Sequence, residues 1–165
     1  MKASRSAMIM AGGTGGHVFP GLAIATALRE RDWDVSWVGT ARGLEARVVP
    51  ANGIHLHTLK TLGLRGKGIW SKVKGVTSLL LSCVQALWLL IAHRPSVVIG
   101  FGGYAAGPAG IVAWLLRIPV VIHEQNAVAG TTNRLLSRVA QCVLAGFEGA
   151  FPPSLAAFVT GNPVR

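Results

Sequence analysis

The sequence predicts an α/β domain built on a doubly wound, Rossmann-like parallel sheet. Three observations predict it. Short Val- and Ile-rich runs alternate with longer stretches of helical periodicity, the pattern of strand–helix–strand crossovers. The runs are almost continuously apolar, which suits strands covered on both faces. Two of them lead through glycine-rich loops into helices, and such sheets gather their ligands at the carboxyl ends of the strands.

The elements follow in order. Ala7–Met10 is a first strand, stopped by Gly12-Gly13, and His17–Arg31 is the helix after it. Val35–Val38 is a second strand, followed by a helix over Leu44–Asn52. Ile54–Leu59 is a third strand and Ile69–His93 a long helix. Val97–Phe101, Val120–Ile122 and Cys142–Ala145 are strands separated by helices over Gly107–Arg117 and Gly130–Ala140, with Phe158–Thr160 a last short strand. Right-handed crossovers make all of these parallel.

Composition agrees with one well-packed domain. A chain of 165 residues buries roughly two-thirds of its unfolded surface and needs no metal or disulfide to fold. It is 51% hydrophobic and 13% charged, against about 25% charged for an ordinary domain, which excludes a disordered tail. Its 21 glycines cluster without a three-residue period, which excludes collagen. Cys83 and Cys142 lie in apolar runs without metal-ligand spacing and are expected to be buried free thiols. The apolar run Ala7–Ala11 is too short for a signal peptide, so the expected location is the cytosol.

Charge is lopsided. Sixteen Lys and Arg face six Asp and Glu, a net +10. No carboxylate lies between Glu45 and Glu124, where Arg47, Lys60, Arg65, Lys67, Lys72, Lys74, Arg94 and Arg117 fall. Such a field attracts phosphates, whether of lipid, nucleotide or nucleic acid. No nucleic-acid motif accompanies it. Gly75–Ala92 carries no charge over 18 residues, the lower limit for a membrane span. Ser78, Ser82 and Gln85 recur there at helical spacing as a weak polar stripe, so a helix packed on the sheet, with one face on lipid, fits better. Lysines beside an apolar helix bearing Trp70 and Trp88 make the pattern of an interfacial membrane surface; an ordinary buried helix is the plainer alternative.

Three loops carry chemistry. Gly12-Gly13-Thr14-Gly15-Gly16-His17 joins a strand to a helix. Glycines let the backbone approach a ligand closely, and the helix start offers free N–H groups and a positive dipole end. The motif lacks the Gly-Lys-Ser/Thr of a P-loop and the Gly-x-Gly-x-x-Gly spacing of a dinucleotide fold. The second strand ends in Val38-Gly39-Thr40, where a dinucleotide fold would place a ribose-binding acid, and no carboxylate appears until Glu45. Phe101-Gly102-Gly103-Tyr104 is the second loop, and two such loops are expected to oppose each other across a cleft as N–H cradles for a diphosphate. The third is His123-Glu124-Gln125-Asn126, four polar side chains at a strand end that bond either sugar hydroxyls or one another. Asn133 either contacts ligand or caps a helix. Asp32-Trp33-Asp34 resembles a metal–nucleotide motif but precedes a strand, which puts it at the end opposite the cleft. His55 and His57 point to one face, with no third ligand nearby; no metal site is assigned.

Together, Gly12–Gly21, Leu64–Gly68, Phe101–Tyr104, His123–Asn126 and Gly161–Arg165 resemble the MurG family, N-acetylglucosaminyltransferases of bacterial peptidoglycan synthesis. The resemblance runs from about Met8 to Arg165 and covers the family's N-terminal half. It implies a GT-B fold of two Rossmann-like domains, with most donor contacts in the second; residues 1–165 correspond to the acceptor-binding, membrane-associating domain, not expected to catalyse alone. It implies transfer of GlcNAc from UDP-GlcNAc to lipid I with inversion, forming lipid II, without cofactor or tightly held metal. His17 is the first candidate base, at a helix N-terminus that favours a neutral, proton-accepting ring; Glu124 is the second. Gly12, Gly13, Gly102, Gly103, Tyr104, His123, Gln125 and Asn133 are expected on the acceptor diphosphate side. Thr14, Gly15, Gly16, Asn126 and Arg165 are expected to approach the donor. Lys67, Ile69, Trp70, Lys72, Val73, Lys74, Leu79, Leu80 and Trp114 are expected at anionic lipid, on the cytoplasmic face of the inner membrane. A transferase for another lipid-linked acceptor, or a non-catalytic membrane module, would carry the same features.

Overall fold

The computed structural model describes residues 5–60 and 69–163. All seven expected strands and five expected helices form: β1 (Ser6–Ala11), α1 (Gly15–Arg29), β2 (Asp34–Gly39), α2 (Glu45–Ala51), β3 (His55–Thr58), α3 (Ile69–His93), β4 (Val97–Gly102), α4 (Ala106–Leu115), β5 (Val120–Glu124), α5 (Thr131–Leu136), β6 (Cys142–Ala145) and β7 (Phe158–Val159). The strands make one sheet in the order β3-β2-β1-β4-β5-β6-β7, and every pairing is parallel.

Strand alternation splits the core into two layers. Along β1, Met8 and Met10 join a cluster with Ala86 and Leu90 of α3 and Ala109 and Val112 of α4. Ile9 and Ala11 join the opposite cluster with Val18, Leu22 and Ala25 of α1. A side-chain period of two makes this division, and a one-residue slip would exchange the faces. Trp37 is fully buried and its indole N–H donates to Ala11 O at 2.8 Å. Gly21 admits it: a β-carbon there would sit 2.6 Å from Cη2 of Trp37. Helix α1 therefore lies close on the strand whose end opens into the first glycine loop.

The chain winds outward from β1 through β2 to β3, then crosses back to β4 on the other side of β1. That reversal places the loops after β1 and β4 side by side, at the position where open α/β sheets bind ligands. Between β1 and β4 the register slips, with Met10 opposite Gly100 but Ala11 opposite Gly102. The extra residue is Phe101, and the bulge falls at the mouth of the second glycine loop.

Helix α3 reverses the polarity of an ordinary surface helix. Ser78, Ser82, Ala86 and Leu90 are buried, while Val76, Leu79, Leu80, Leu81, Val84, Leu87, Trp88 and Ile91 are exposed. The polar stripe faces inward: Gln85 Oε1 accepts from Lys60 N–H at 2.9 Å, and Ser82 Oγ lies 2.7 Å from Ser78 O and 3.2 Å from Lys60 O. Stretch Lys74–His93 is long and apolar enough to cross a membrane, with 28% of its apolar window buried. It packs against α4 and supplies core residues, as a crossover helix does. Cys83 and Cys142 are free, as expected, but half-buried rather than fully buried.

At the amino end of the sheet, opposite the glycine loops, Asp34 lies as expected, lining a cavity of about 200 Å³ with Ser6, His55, His57 and His93. His55 and His57 share a face, with ring centroids 4.4 Å apart. The end of α3 adds His93, 4.5 Å from His57. Among the described residues, no three His, Cys, Asp or Glu side chains are arranged to hold a metal ion. His57 Nε2 is buried without a hydrogen-bond partner. Burial, then the neighbouring His55 and His93, push the His57 pKa from 6.5 down to about 4. A histidine whose folded pKa is depressed costs stability as pH falls, because the unfolded chain takes the proton first. His57 is therefore expected to leave stability untouched above pH 6.5 and to weaken the fold progressively from there towards pH 4. Urea midpoints measured across this window should fall less steeply in His57→Gln than in the wild type; parallel curves would contradict the assignment.

Candidate functional site

The two glycine loops meet in direct contact, where an open cleft between opposed cradles was expected. Gly12 N–H donates to Gly102 O at 3.3 Å. Gly103, at φ +93°, lies so close to the first loop that a β-carbon would overlap Gly12 O. Gly102 has φ +106°, and a β-carbon there would sit 2.8 Å from Cδ2 of His17. Both positions therefore need glycine twice over, for backbone conformation and for space. Gly13 N–H is also taken, by Glu45 Oε2 at 3.0 Å. Gly12 and Gly13 thus supply shape and close approach rather than free donors.

His17 stands at the third position of α1, half-buried, with Nδ1 3.2 Å from Thr14 Oγ1. It lines a hollow of about 240 Å³ with Gly102, Gly103, Tyr104, Glu124, Gly130, Thr131, Thr132 and Asn133. Tyr104 is 60% exposed at its rim. Thr132 Oγ1 donates to Gly103 O at 3.3 Å, fastening the second glycine loop to α5. Thr131 and Thr132 were missed by sequence reasoning, which followed glycine-rich signatures; two threonines at a helix start carry no comparable signal.

Strand β5 runs two residues further than expected, so His123 and Glu124 are its last members. Glu124 is fully buried. Its Oε1 accepts from Asn126 N–H at 3.0 Å and Asn126 Nδ2 at 2.8 Å. Its Oε2 accepts from Gly130 N–H at 3.0 Å and Asn133 Nδ2 at 2.9 Å. A carboxylate offers about four acceptor positions, and four donors occupy them. The site's most polar residue is thus engaged in holding Asn126 and Asn133 in place.

His123 turns away from both hollows. It is buried, with Nε2 donating to Gly161 O at 3.0 Å and Gln125 Nε2 at 3.4 Å from Nδ1. Burial lowers its pKa, opposed by the Gly161 hydrogen bond and by Glu124, and both contacts fit a neutral ring protonated on Nε2. His123 therefore ties β5 to the segment after β7.

A second hollow, about 410 Å³, lies along the other flank of the α1 start, lined by Gly16, Phe19, Pro20, Gln125, Asn126, Asn162 and Pro163. Gln125, expected beside the acceptor residues, lies here with Asn126. Asn162 Nδ2 donates to Gln125 O at 3.1 Å. One residue beside each hollow carries a buried acceptor without a partner: Asn133 Oδ1 at the first and Gln125 Oε1 at the second. Buried polar atoms without a partner are costly. Lys67 and Arg165 lie outside the described residues, as do the side chains of Ile69, Trp70, Lys72 and Val73. Lys74, Leu79, Leu80 and Trp114 are exposed, away from both hollows.

Residues 7–145 match the glycosyltransferase family 28 N-terminal domain. The chain is 54% identical over 162 residues to the UDP-N-acetylglucosamine--N-acetylmuramyl-(pentapeptide) pyrophosphoryl-undecaprenol N-acetylglucosamine transferase of Methylococcus capsulatus, covering 98% of this chain and 46% of that protein. It is similar to the crystal structure of Acinetobacter baumannii MurG, with a TM-score of 0.85 and 42% identity over 98% of this chain and 46% of that one. A UDP-N-acetylglucosamine 2-epimerase from Rickettsia bellii gives a TM-score of 0.68 at 14% identity, over 97% of this chain and 45% of that one, a likeness of fold alone. The chain spans about half the length of the curated relatives it matches.

Proposed function

The chain belongs to glycosyltransferase family 28, whose N-terminal domain it matches, and from that premise we propose that it is the acceptor-binding half of an enzyme transferring GlcNAc from UDP-GlcNAc to lipid I. A second domain, in the part of the relatives beyond this match, would hold most of the donor. The observation that carries the reading is the convergence of His17, Gly102, Gly103, Tyr104 and Asn133 on one hollow. Support comes also from the relatives' names, which describe this transfer.

In the proposed reaction His17 is the general base. Thr14 Oγ1 accepts from Nδ1–H, which leaves the Nε2 lone pair for the acceptor hydroxyl, the orienting arrangement expected of an activated base. The acceptor oxygen attacks the anomeric carbon of GlcNAc as its proton passes to Nε2. The bond to the UDP oxygen breaks on the opposite face, so the configuration inverts. Asn133 lines the acceptor side, while Gln125 and Asn126, with Thr14, Gly15 and Gly16, face the donor sugar from this side. Glu124, its acceptor positions filled, serves as the holder of Asn126 and Asn133 rather than as the base. No metal or cofactor and no nucleic-acid partner is proposed.

The exposed apolar face of α3, continued by Trp114 and Leu115 of α4, is proposed to rest on the cytoplasmic leaflet of the inner membrane, where a polyprenyl-linked acceptor would lie. Full removal of one such side chain from water is worth roughly 1.5–3 kcal/mol. Eight on α3, each partly inserted, suffice for peripheral binding without a span. Uncompensated lysines and arginines add attraction for anionic lipid.

Two measurements follow. In the full-length protein, His17→Ala should lower kcat by about 10²–10⁴-fold, the usual worth of a general base. A kcat within about tenfold of the wild type in a folded His17→Ala would contradict the base assignment. The chain should co-sediment with phosphatidylglycerol vesicles at low salt, and Leu80→Glu with Trp88→Glu should weaken binding. No sedimentation at low salt would contradict the membrane assignment.

A further inference from the structure

Glu45, the first residue of α2, is a completely buried carboxylate with no part in the chemistry above. Its Oε1 accepts from Thr40 N–H at 2.9 Å and Thr40 Oγ1–H at 2.8 Å. Its Oε2 accepts from Gly13 N–H at 3.0 Å. All three partners are donors, so the group serves purely as an acceptor, as an ionised carboxylate does. Burying it is costly, and an apolar side chain would fill the space without that cost. The surroundings are nonetheless shaped for it. A β-carbon at Gly12 would sit 2.6 Å from Oε1, one at Gly39 would sit 2.5 Å from Cγ, and one at Gly43 would overlap the carboxylate. Three glycines, one from the first loop, one at the end of β2 and one just before α2, make room for this one group.

Its reach is what matters. Gly13 holds φ +95°, a conformation whose peptide orientation is fixed by where its N–H is bound. Thr14 follows, and its Oγ1 meets His17 Nδ1. We propose that Glu45 is a positioning residue: by pinning Gly13 from beneath, it sets where Thr14 and His17 stand for the transfer, without touching substrate. This rests on the proposed role of His17. It also gives the β2–α2 loop a use different from that of a dinucleotide fold, where an acid near the end of the second strand binds ribose. Here the acid turns inward and fastens the neighbouring loop.

The test is Glu45→Gln, whose amide NH₂ must face either Gly13 N–H or the two Thr40 donors. In this chain, exchange of the Gly13 amide should accelerate roughly tenfold, the effect of one lost charge-assisted hydrogen bond, with NMR shifts at Thr14 and the His17 ring. In the full-length enzyme, well below the melting temperature, kcat should fall on the order of 10²-fold, the cost of a misplaced catalytic group, with KM for the acceptor changed much less. A folded Glu45→Gln with unchanged Gly13 exchange and unchanged kcat overturns the proposal. Should Glu45→Gln not fold, Thr40→Val removes one donor and Thr40→Ser keeps it; kcat must fall in the first and hold in the second, and equal rates overturn it. If the wild type transfers no sugar, the functional reading fails by itself, and Gly13 exchange alone decides whether Glu45 fastens the loop.

Discussion

The backbone of Gly103 presses on that of Gly12, and Gly12 N–H bonds to Gly102 O. Everything at the carboxyl end of the sheet depends on this contact. It is possible because β1 and β4 are neighbours at the reversal of strand order and because neither loop carries a side chain where they touch. With the loops joined, the ring of His17 lies against Gly102, and the start of α1 divides two hollows. Two buried carboxylates then anchor the arrangement from either side, Glu45 below the first loop and Glu124 at the end of β5. Each meets only hydrogen-bond donors from its own surroundings. The site is thus preorganised by backbone and carboxylates.

Helix α3 shows the same economy at a different scale. Its buried stripe is polar and small, with Ser78 buried, Ser82 reaching Lys60 O and Ala86 on the core. Its large apolar residues face outward. A soluble domain would gain by the reverse arrangement. The inversion makes sense if the outward side has an apolar neighbour, and the crossover geometry makes a spanning role incompatible with the sheet. Helix α3 therefore has one side on the core and offers the other as the proposed membrane-facing side.

Every strand and helix was legible in the sequence, because Val- and Ile-rich runs and helical stretches are separated by glycine, proline and polar clusters. The reversal of strand order was foreseeable only as a class. At the site, His17, Gly102, Gly103, Tyr104, Glu124 and Asn133 were named from motif and position, and they line one hollow. Three features were hidden. The polar stripe Ser78–Ser82–Gln85 is visible in the sequence, but which side it faces depends on where the chain near Lys60 passes. The inward turn of Glu45 depends on space left by Gly39 and Gly43 nearby and by Gly12, which is distant in sequence. The exhaustion of Gly12 and Gly13 N–H groups comes from partners in other loops. Each is a tertiary fact, and local pattern carries no trace of it.

The central claim is that the hollow at the joined glycine loops receives a lipid-linked diphosphate sugar. The most direct measurement is a backbone-amide NMR titration of the full-length protein with a soluble, short-chain lipid I analogue. The account predicts shifts concentrated at Thr14–His17, Gly102–Tyr104 and Thr131–Asn133, with the amino end around His57 unmoved. Saturable binding of the analogue that leaves these three segments unshifted would contradict it.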